Sequence, residues 1–462
     1  MAENKVAEQS ASIKAMAADI AMTRNLMLGT SAMRIAGEQH MPKWPKERLE
    51  DYKTRLAVST LFPAYSRTVT TLTGKPFSKS ITYGDNVPPQ IRGWIEDDAD
   101  LQGRNLDAFA SGVFSSALAY GLCGILVDYP VVDLARVRTQ ADEQAQGLRP
   151  YMVQVEPWNI LGGRFKRING VETLTQIRFM EYVMEEDGEF GEKEVAQVRV
   201  IEPLKWATYR KNKDDEWVPY RDGITTMQQV PFVPVYGYRT GFLTARPPML
   251  EMAHLNIKHW QSQSDQDNIL HVTRVPILYV SGIDDDKFSM TIGSSEAIQL
   301  PVGASCGFVE HSGSALGAGR TSLEDLKEEM RQAGAELLVL TPGQITATQV
   351  ASENAIGMCA LQRMVSSTED AFDQAMQYMA DWVKAPEGGN ITIFNDFGAA
   401  TLAEASAQIL VGMRQTGDLS KKTLLNEVKR RGILSSEVDV DAEIEAATAD
   451  APNIVLPGGA GA

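Results

Sequence analysis

Cysteine is scarce and scattered: Cys123, Cys306 and Cys359 are the only three in 462 residues. No CxxC pair occurs and the count is odd, so neither a disulfide framework nor a thiolate zinc site is expected, and a reducing, cytoplasmic setting suits the chain best. Histidine is also sparse, with His40, His254, His259, His271 and His311 and no HExxH among them. His254 and His259 are five apart, about 140° around a helix, so they do not share a face; each histidine is expected to be a satisfied structural or surface residue. Positive charge is in deficit. Lys and Arg number 44 against 60 Asp and Glu, a formal charge of −16, which disfavours a general attraction to nucleic-acid phosphates. The first residues lack a basic stretch followed by an apolar one, so no secretory signal is expected.

Long hydrophobic runs are missing too, with one near-exception. Residues 108–127, AFASGVFSSALAYGLCGILV, carry no charge, but Gly112, Gly121, Gly124 and three serines interrupt them. The pattern predicts a helix ending near Tyr120 and a buried strand, LCGILVDY, rather than a membrane span. Catalytic signatures are absent as well. GSALGAGRT (313–321) has Ser314 where a phosphate-binding loop needs Gly and Arg320 where it needs Lys, so it reads as a flexible hinge. Asp284, Asp285 and Asp286 lack the alternating ligands of a calcium loop and read as a solvated turn. With no GxSxG elbow, dinucleotide fingerprint or framed carboxylate pair, the sequence predicts no enzyme, no cofactor and no metal.

What is present is an ordinary folding composition, 44% hydrophobic and 23% charged, over a length suited to about three modules. Helical periodicity covers the first thirty or so residues and again about 47–72, separated by Pro42 and Pro45. From 150 to 238 short alternating segments and turn clusters such as EEDGEFGE predict an antiparallel β module, closed by VPFVPVYGY as an edge or irregular strand because of Pro231 and Pro234. A helical rod follows Pro247 and Pro248 and runs to about Val275. A β excursion comes next, and Ser322 with Asp325 is expected to cap a second helix. LTPGQITATQV (340–350) interrupts it, since Pro342 lacks an N–H and Gly343 permits positive φ. The longest amphipathic run, about 352–384, carries Leu361, Met364, Val365, Thr368, Phe372, Ala375, Met376, Met379 and Val383 on one stripe. That stripe is expected to serve as a seam between subunits as well as within one. A short strand NITIFNDF, helices at about 401–414 and 420–431, and an acidic end without Lys or Arg complete the chain.

The order of these parts, and the phrases AYGLCGILVDYP, VPFVPVYGY, PPMLEMAHLNIKHWQSQSDQDNILHVTRVPIL and TGDLSKKTLLNEVKRRGIL, resemble the portal proteins of tailed bacteriophages over roughly residues 45–445. The resemblance implies an α+β portal fold with wing, stem, clip and small crown, assembled as a ring, usually a homododecamer. Its parts would be an N-terminal helical arm (1–45), a wing (46–246), a stem helix (247–275), a clip (276–320), a second stem helix (321–340) and a tunnel loop (341–351). A long helix with a strand (352–399), crown helices (400–450) and a disordered tail (451–462) would follow. The ring would sit at one capsid vertex of the virion after assembly in the host cytoplasm, and double-stranded DNA would pass through it during packaging and ejection. Partners implied are the terminase large subunit, the head-to-tail adaptor that replaces it, and the major capsid and scaffolding proteins, with no membrane. A capsid-associated structural adaptor without a DNA conduit is the alternative, and a metal-dependent nucleic-acid enzyme a more distant one.

Three groups of residues follow as candidates. A conduit must not grip DNA, so carboxylates are expected to line it, with Asp265 and Asp267 on the first rod and Glu324, Glu328 and Glu329 on the second. Ordinary solvated faces or ion pairs between subunits remain open for these five. Pro342, Gly343, Gln344, Thr346, Thr348 and Gln349 would form the tunnel loop, its polar, uncharged side chains touching DNA through water. Lys421, Lys422, Lys429, Arg430 and Arg431 form a basic spot near the expected crown, either a DNA guide or a solvated helix face.

Overall fold

The computed structural model describes residues 5–130, 142, 145–273, 277–282, 303–309, 314–338, 359–395, 412–417, 419–430, 434 and 438–449. The tunnel-loop residues, the Asp284–Asp286 triplet, His311 and Arg431 lie outside them.

The helical periodicity of the N-terminal region is real but broken by specific residues. α1 (Ala11–Leu28) starts where Ser10 Oγ accepts the Ile13 N–H, and stops at Gly29, whose φ of 83° is easy only for glycine. α2 (Thr30–Ala36) follows. The single helix expected over 47–72 is instead two, α3 (Leu49–Val58) and α4 (Ala64–Gly74), because Pro63 interrupts the helical hydrogen-bond ladder. Buried Asn256 takes up the backbone groups freed at this corner: its Oδ1 accepts the Tyr65 N–H at 3.0 Å and its Nδ2 donates to the Phe62 carbonyl at 3.0 Å.

After α5 (Pro89–Asp97), the uncharged stretch forms a helix and a strand as its glycines predict. α6 (Leu106–Tyr120) is capped by Asn105, turns at Gly121 with φ 87°, and continues as β2 (Leu122–Asp128). β2 is the middle strand of an antiparallel sheet in the order β3 (Tyr151–Val155), β2, β9 (Phe232–Tyr236). β9 is therefore an edge strand, which is where Pro234 is tolerated. Beside it stands a five-stranded antiparallel meander, β4 (Ile160–Ile168) through β8 (Trp217–Ile224), whose longest ribbon pairs β5 (Val171–Asp187) with β6 (Gly191–Glu202). A two-stranded ladder joins β1 (Thr82–Tyr83) to β14 (Ile391–Thr392), and β10 (Tyr238–Gly241) pairs with β11 (Thr244–Arg246).

The C-terminal half supplies α7 (Leu250–Thr273), an antiparallel pair β12 (Ile277–Ser281) and β13 (Ser305–Val309), and α8 (Ser314–Ala335). Two sequence expectations are corrected here. The Gly-rich stretch read as a hinge is the first turns of α8, and Ser322 lies inside that helix rather than capping it. The helix can hold these glycines because one of them is used: a Cβ on Gly319 would collide with the Gln266 amide, whose Nε2 donates to the Leu316 carbonyl at 3.2 Å.

α9 (Ala360–Val383) begins with a reciprocal cap, Cys359 N–H to Gln362 Oε1 at 2.9 Å, and ends at Lys384 with φ 59°. Its stripe is largely taken up within the chain: Leu361, Met364, Val365, Phe372, Ala375, Met376 and Met379 all join the main core with α4, α5, α6, β2, β9 and α7, and Thr368 is buried. One chain covers this face as far as Met379, contrary to the expected seam, and Val383 is half-buried. A second, smaller core packs Ile13, Met16 and Ile20 of α1 against β2, β4, β5 and β9. α10 (Lys421–Arg430) and α11 (Val440–Ala449) are joined through Lys422, which pairs with Asp441 at 2.8 Å. No helix among the described residues is long and apolar enough to cross a membrane.

Candidate functional site: the paired helices and their flanks

α7 and α8 lie side by side, joined through the β12–β13 pair, and their contact is built from the positions the helical period selects. Met252, Ala253, Asn256 and Trp260 of α7 are buried, as are Leu323, Leu326 and Met330 of α8. His259 is buried with them at 1% exposure, yet neither ring nitrogen has a hydrogen-bond partner among the described residues. Burial, with the nearby Lys327 ammonium, pushes its pKa down to about 4, so the imidazole is neutral. The expectation of a satisfied histidine fails here. His40 does find a partner, Asn25, at 3.0 Å, while His254 and His271 are exposed.

The N-terminal arm grips α7 from one flank. Arg55 forms a two-bond pair with Glu47, Nε to Oε1 at 2.7 Å and Nη2 to Oε2 at 2.8 Å, donates to the Pro42 carbonyl at 3.2 Å, and lies over the Trp44 ring at 4.2 Å. Its Nη1 reaches Ser264 Oγ of α7 at 3.5 Å, and Gln261 of α7 donates to the His40 carbonyl at 2.8 Å. Hydrogen bonding from Arg55 holds the Glu47 carboxyl below its usual range. No sequence motif announces this clamp, because its members lie some 200 residues apart.

The five carboxylates expected to line a conduit do not form one set. Asp265 is half-buried beside Arg55, burial pushing its pKa up and the guanidinium opposing that shift. Asp267 is exposed and accepts from Gln263 at 2.8 Å. On α8, Glu324 pairs with Arg320 at 3.7 Å, Glu328 pairs with Arg331, and exposed Glu329 makes no ion pair among the described residues. Glu324 and Glu328 stand at the rim of a groove of about 550 Å³ between α4 and α8, floored by Phe62, Leu72, Met252 and Met330. Of the expected basic spot, Lys422 is spent on Asp441 and Lys429 donates to the Val438 carbonyl at 2.7 Å, while Lys421 is half-buried. Lys422 ties α10 to α11 and Lys429 ties it to the segment leading into α11.

A larger cleft, about 1060 Å³, opens beside the β module, where Arg199 bridges Asp128 at 2.7 and 2.8 Å and Glu181 at 3.2 Å. Period-two alternation does not reveal this network, because the partners sit on three strands. Among the described residues no group of three or more His, Cys, Asp or Glu could hold a metal ion.

Residues 248–383, which span α7, α8 and α9, match the model of a family described as Domain of unknown function (DUF4055). No curated protein matches the chain in sequence. Solved structures similar in chain course include the virion of a native gene transfer agent (GTA) particle, 11% identical, covering 87% of this chain and 99% of that one at a TM-score of 0.41. The neck of an empty GTA particle computed with C6 symmetry is 11% identical over 87% and 98%, TM-score 0.43. The neck of a native GTA particle computed with C12 symmetry is 12% identical over 88% and 99%, TM-score 0.42.

Proposed function

We propose that this chain is the portal subunit of a phage-like particle, forming a ring at one capsid vertex through which double-stranded DNA is packaged and later ejected. One observation carries the reading: two adjacent helices, α7 (Leu250–Thr273) and α8 (Ser314–Ala335), bracket a β pair and are rooted in a mixed core closed by α9. That is the stem, clip and wing order that the sequence resemblance implies. In this reading α7 and α8 are the stem, β12–β13 belong to the clip that meets the motor and then the adaptor, and the β module is the wing. The chain performs no chemistry of its own; the motor supplies the work. A net charge of −16 per subunit suits a conduit, since phosphate meets repulsion rather than a grip.

The test is assembly and shape. Mass photometry should find a ring of about twelve copies of 50.7 kDa, near 610 kDa, and negative-stain images should show a central hole. A 50.7 kDa monomer at micromolar concentration in every salt would refute the reading, and a compact small oligomer without a hole would favour a capsid adaptor instead.

A further inference from the structure

The groove between α4 and α8 is an unfinished surface with a definite chemistry. Its floor is apolar, formed by Phe62, Leu72, Met252 and Met330. Its rim carries Glu324 and Glu328, each already paired with an arginine, and Arg67, Lys75 and Lys327, which form no ion pair among the described residues. Lys327 only rests over the Phe62 ring at 5.2 Å. The groove therefore offers an apolar seat and three uncompensated positive charges, on a chain whose overall charge is strongly negative.

The same chain carries a projection of the complementary kind. The β5–β6 ribbon ends in the turn from Asp187 to Gly191, with Gly188 at φ 79°, and Phe190 at that turn is 92% exposed. Around it stand exposed Glu186, Asp187, Glu189, Glu192 and Glu194, with Lys193 the lone base among them. None of these five acids forms an ion pair among the described residues. Phe190 gives this tip an apolar contact, and the acids around it favour a basic partner and disfavour an acidic one.

We propose that the Phe190 hairpin of one subunit docks in the α4/α8 groove of the next copy of this chain, Phe190 on the apolar floor and its acids against Arg67, Lys75 and Lys327. The two surfaces are different patches of one chain, so the contact is head-to-tail, the type that closes into a ring. The inference rests on the ring reading above and assigns one of the contacts that hold the ring. It also places Glu324 and Glu328 at a subunit boundary instead of in the lumen.

A photo-crosslinking phenylalanine analogue at 190 in the assembled protein tests it directly. The expected product is an intermolecular crosslink to peptides within 62–75 or 324–338. Phe190→Asp and the groove variant Arg67→Glu/Lys75→Glu/Lys327→Glu should each lower the assembled fraction at least tenfold, with far-UV signal unchanged, since Phe190, Arg67 and Lys327 are exposed and Lys75 is half-buried at a helix end. Mixed together, the two variants retain one intact knob and one intact groove and should give dimers only. A wild-type ring that shows a crosslink within one chain, a crosslink elsewhere, or full assembly of Phe190→Asp would overturn this inference and leave the ring reading standing. A wild-type monomer would remove both.

Discussion

Arg55 holds Glu47 in a parallel pair of hydrogen bonds, 2.7 and 2.8 Å, with each side chain only 5% exposed. The pair sits where α3 meets α7, and there the Ser59 and Ser264 hydroxyls also meet at 3.0 Å. The polar contacts that join this segment to α7, some 200 residues on, are Gln261 to the His40 carbonyl at 2.8 Å, Ser59 to Ser264 at 3.0 Å and Arg55 to Ser264 at 3.5 Å.

Breaking it from one side should be expensive. Arg55→Met strands the Glu47 carboxylate in a buried site, and a loss of about 3–5 kcal/mol is expected in denaturant titration. Arg55→Met with Glu47→Leu should recover much of that. The Glu47 pKa is lowered in the fold, so the stability it contributes is present above the ordinary value of 4.5 and is lost as pH falls below it. Wild type should show a steeper acid loss than the double variant, in which Asp100 and Glu202, also lowered in the fold, still contribute.

His259 gives a second pH signature at a higher range. Folded, it stays neutral to about pH 4, whereas unfolded it takes a proton near 6.5. Between these values the unfolded chain binds the extra proton, so stability falls as pH drops from 6.5 to 4, by about 3 kcal/mol. His259→Leu should flatten this slope, leaving the share of His40, which burial also lowers, at little cost at pH 7, since neither ring nitrogen of His259 has a partner to lose. Urea midpoints at pH 7 and pH 4.5 for both proteins provide the check.

Two glycines two residues apart, on opposite faces of α8, should respond oppositely. Gly317 faces open space, so Gly317→Ala should stabilise by roughly 0.5–1 kcal/mol through helix propensity. At Gly319 a Cβ meets the Gln266 amide, and Gly319→Val should destabilise by about 1–3 kcal/mol by forcing α7 and α8 apart. Melting temperatures of the two variants moving in the same direction would contradict the packing described.

For the proposed conduit, Gln344→Lys with Thr346→Lys adds two positive charges per subunit around one ring of positions. Packaging in vitro should slow while particle assembly stays normal. Unchanged packaging rate and DNA retention would remove 340–350 from the mechanism.

Local signals determined the parts of this protein that a short stretch of chain can decide. Gly121 ended α6 and released β2, Pro63 split α3 from α4, and the 3.6-residue stripe of α9 chose its buried face, all through backbone sterics or periodicity. The order of helices and strands was legible for the same reason. Tertiary structure alone decided what each face meets. The α9 stripe could have been a subunit seam and is instead covered by α6 and β2 of its own chain. Gly317 and Gly319 looked like part of a hinge but lie inside α8, where Gln266, some fifty residues away, fills the space beside Gly319 and donates to the Leu316 carbonyl. Asp265 looked like a solvated carboxylate until Arg55 was folded against it. Periodicity reports that a face is buried, whereas the partner that buries it is chosen by contacts distant in sequence, and those exist only once the chain has folded.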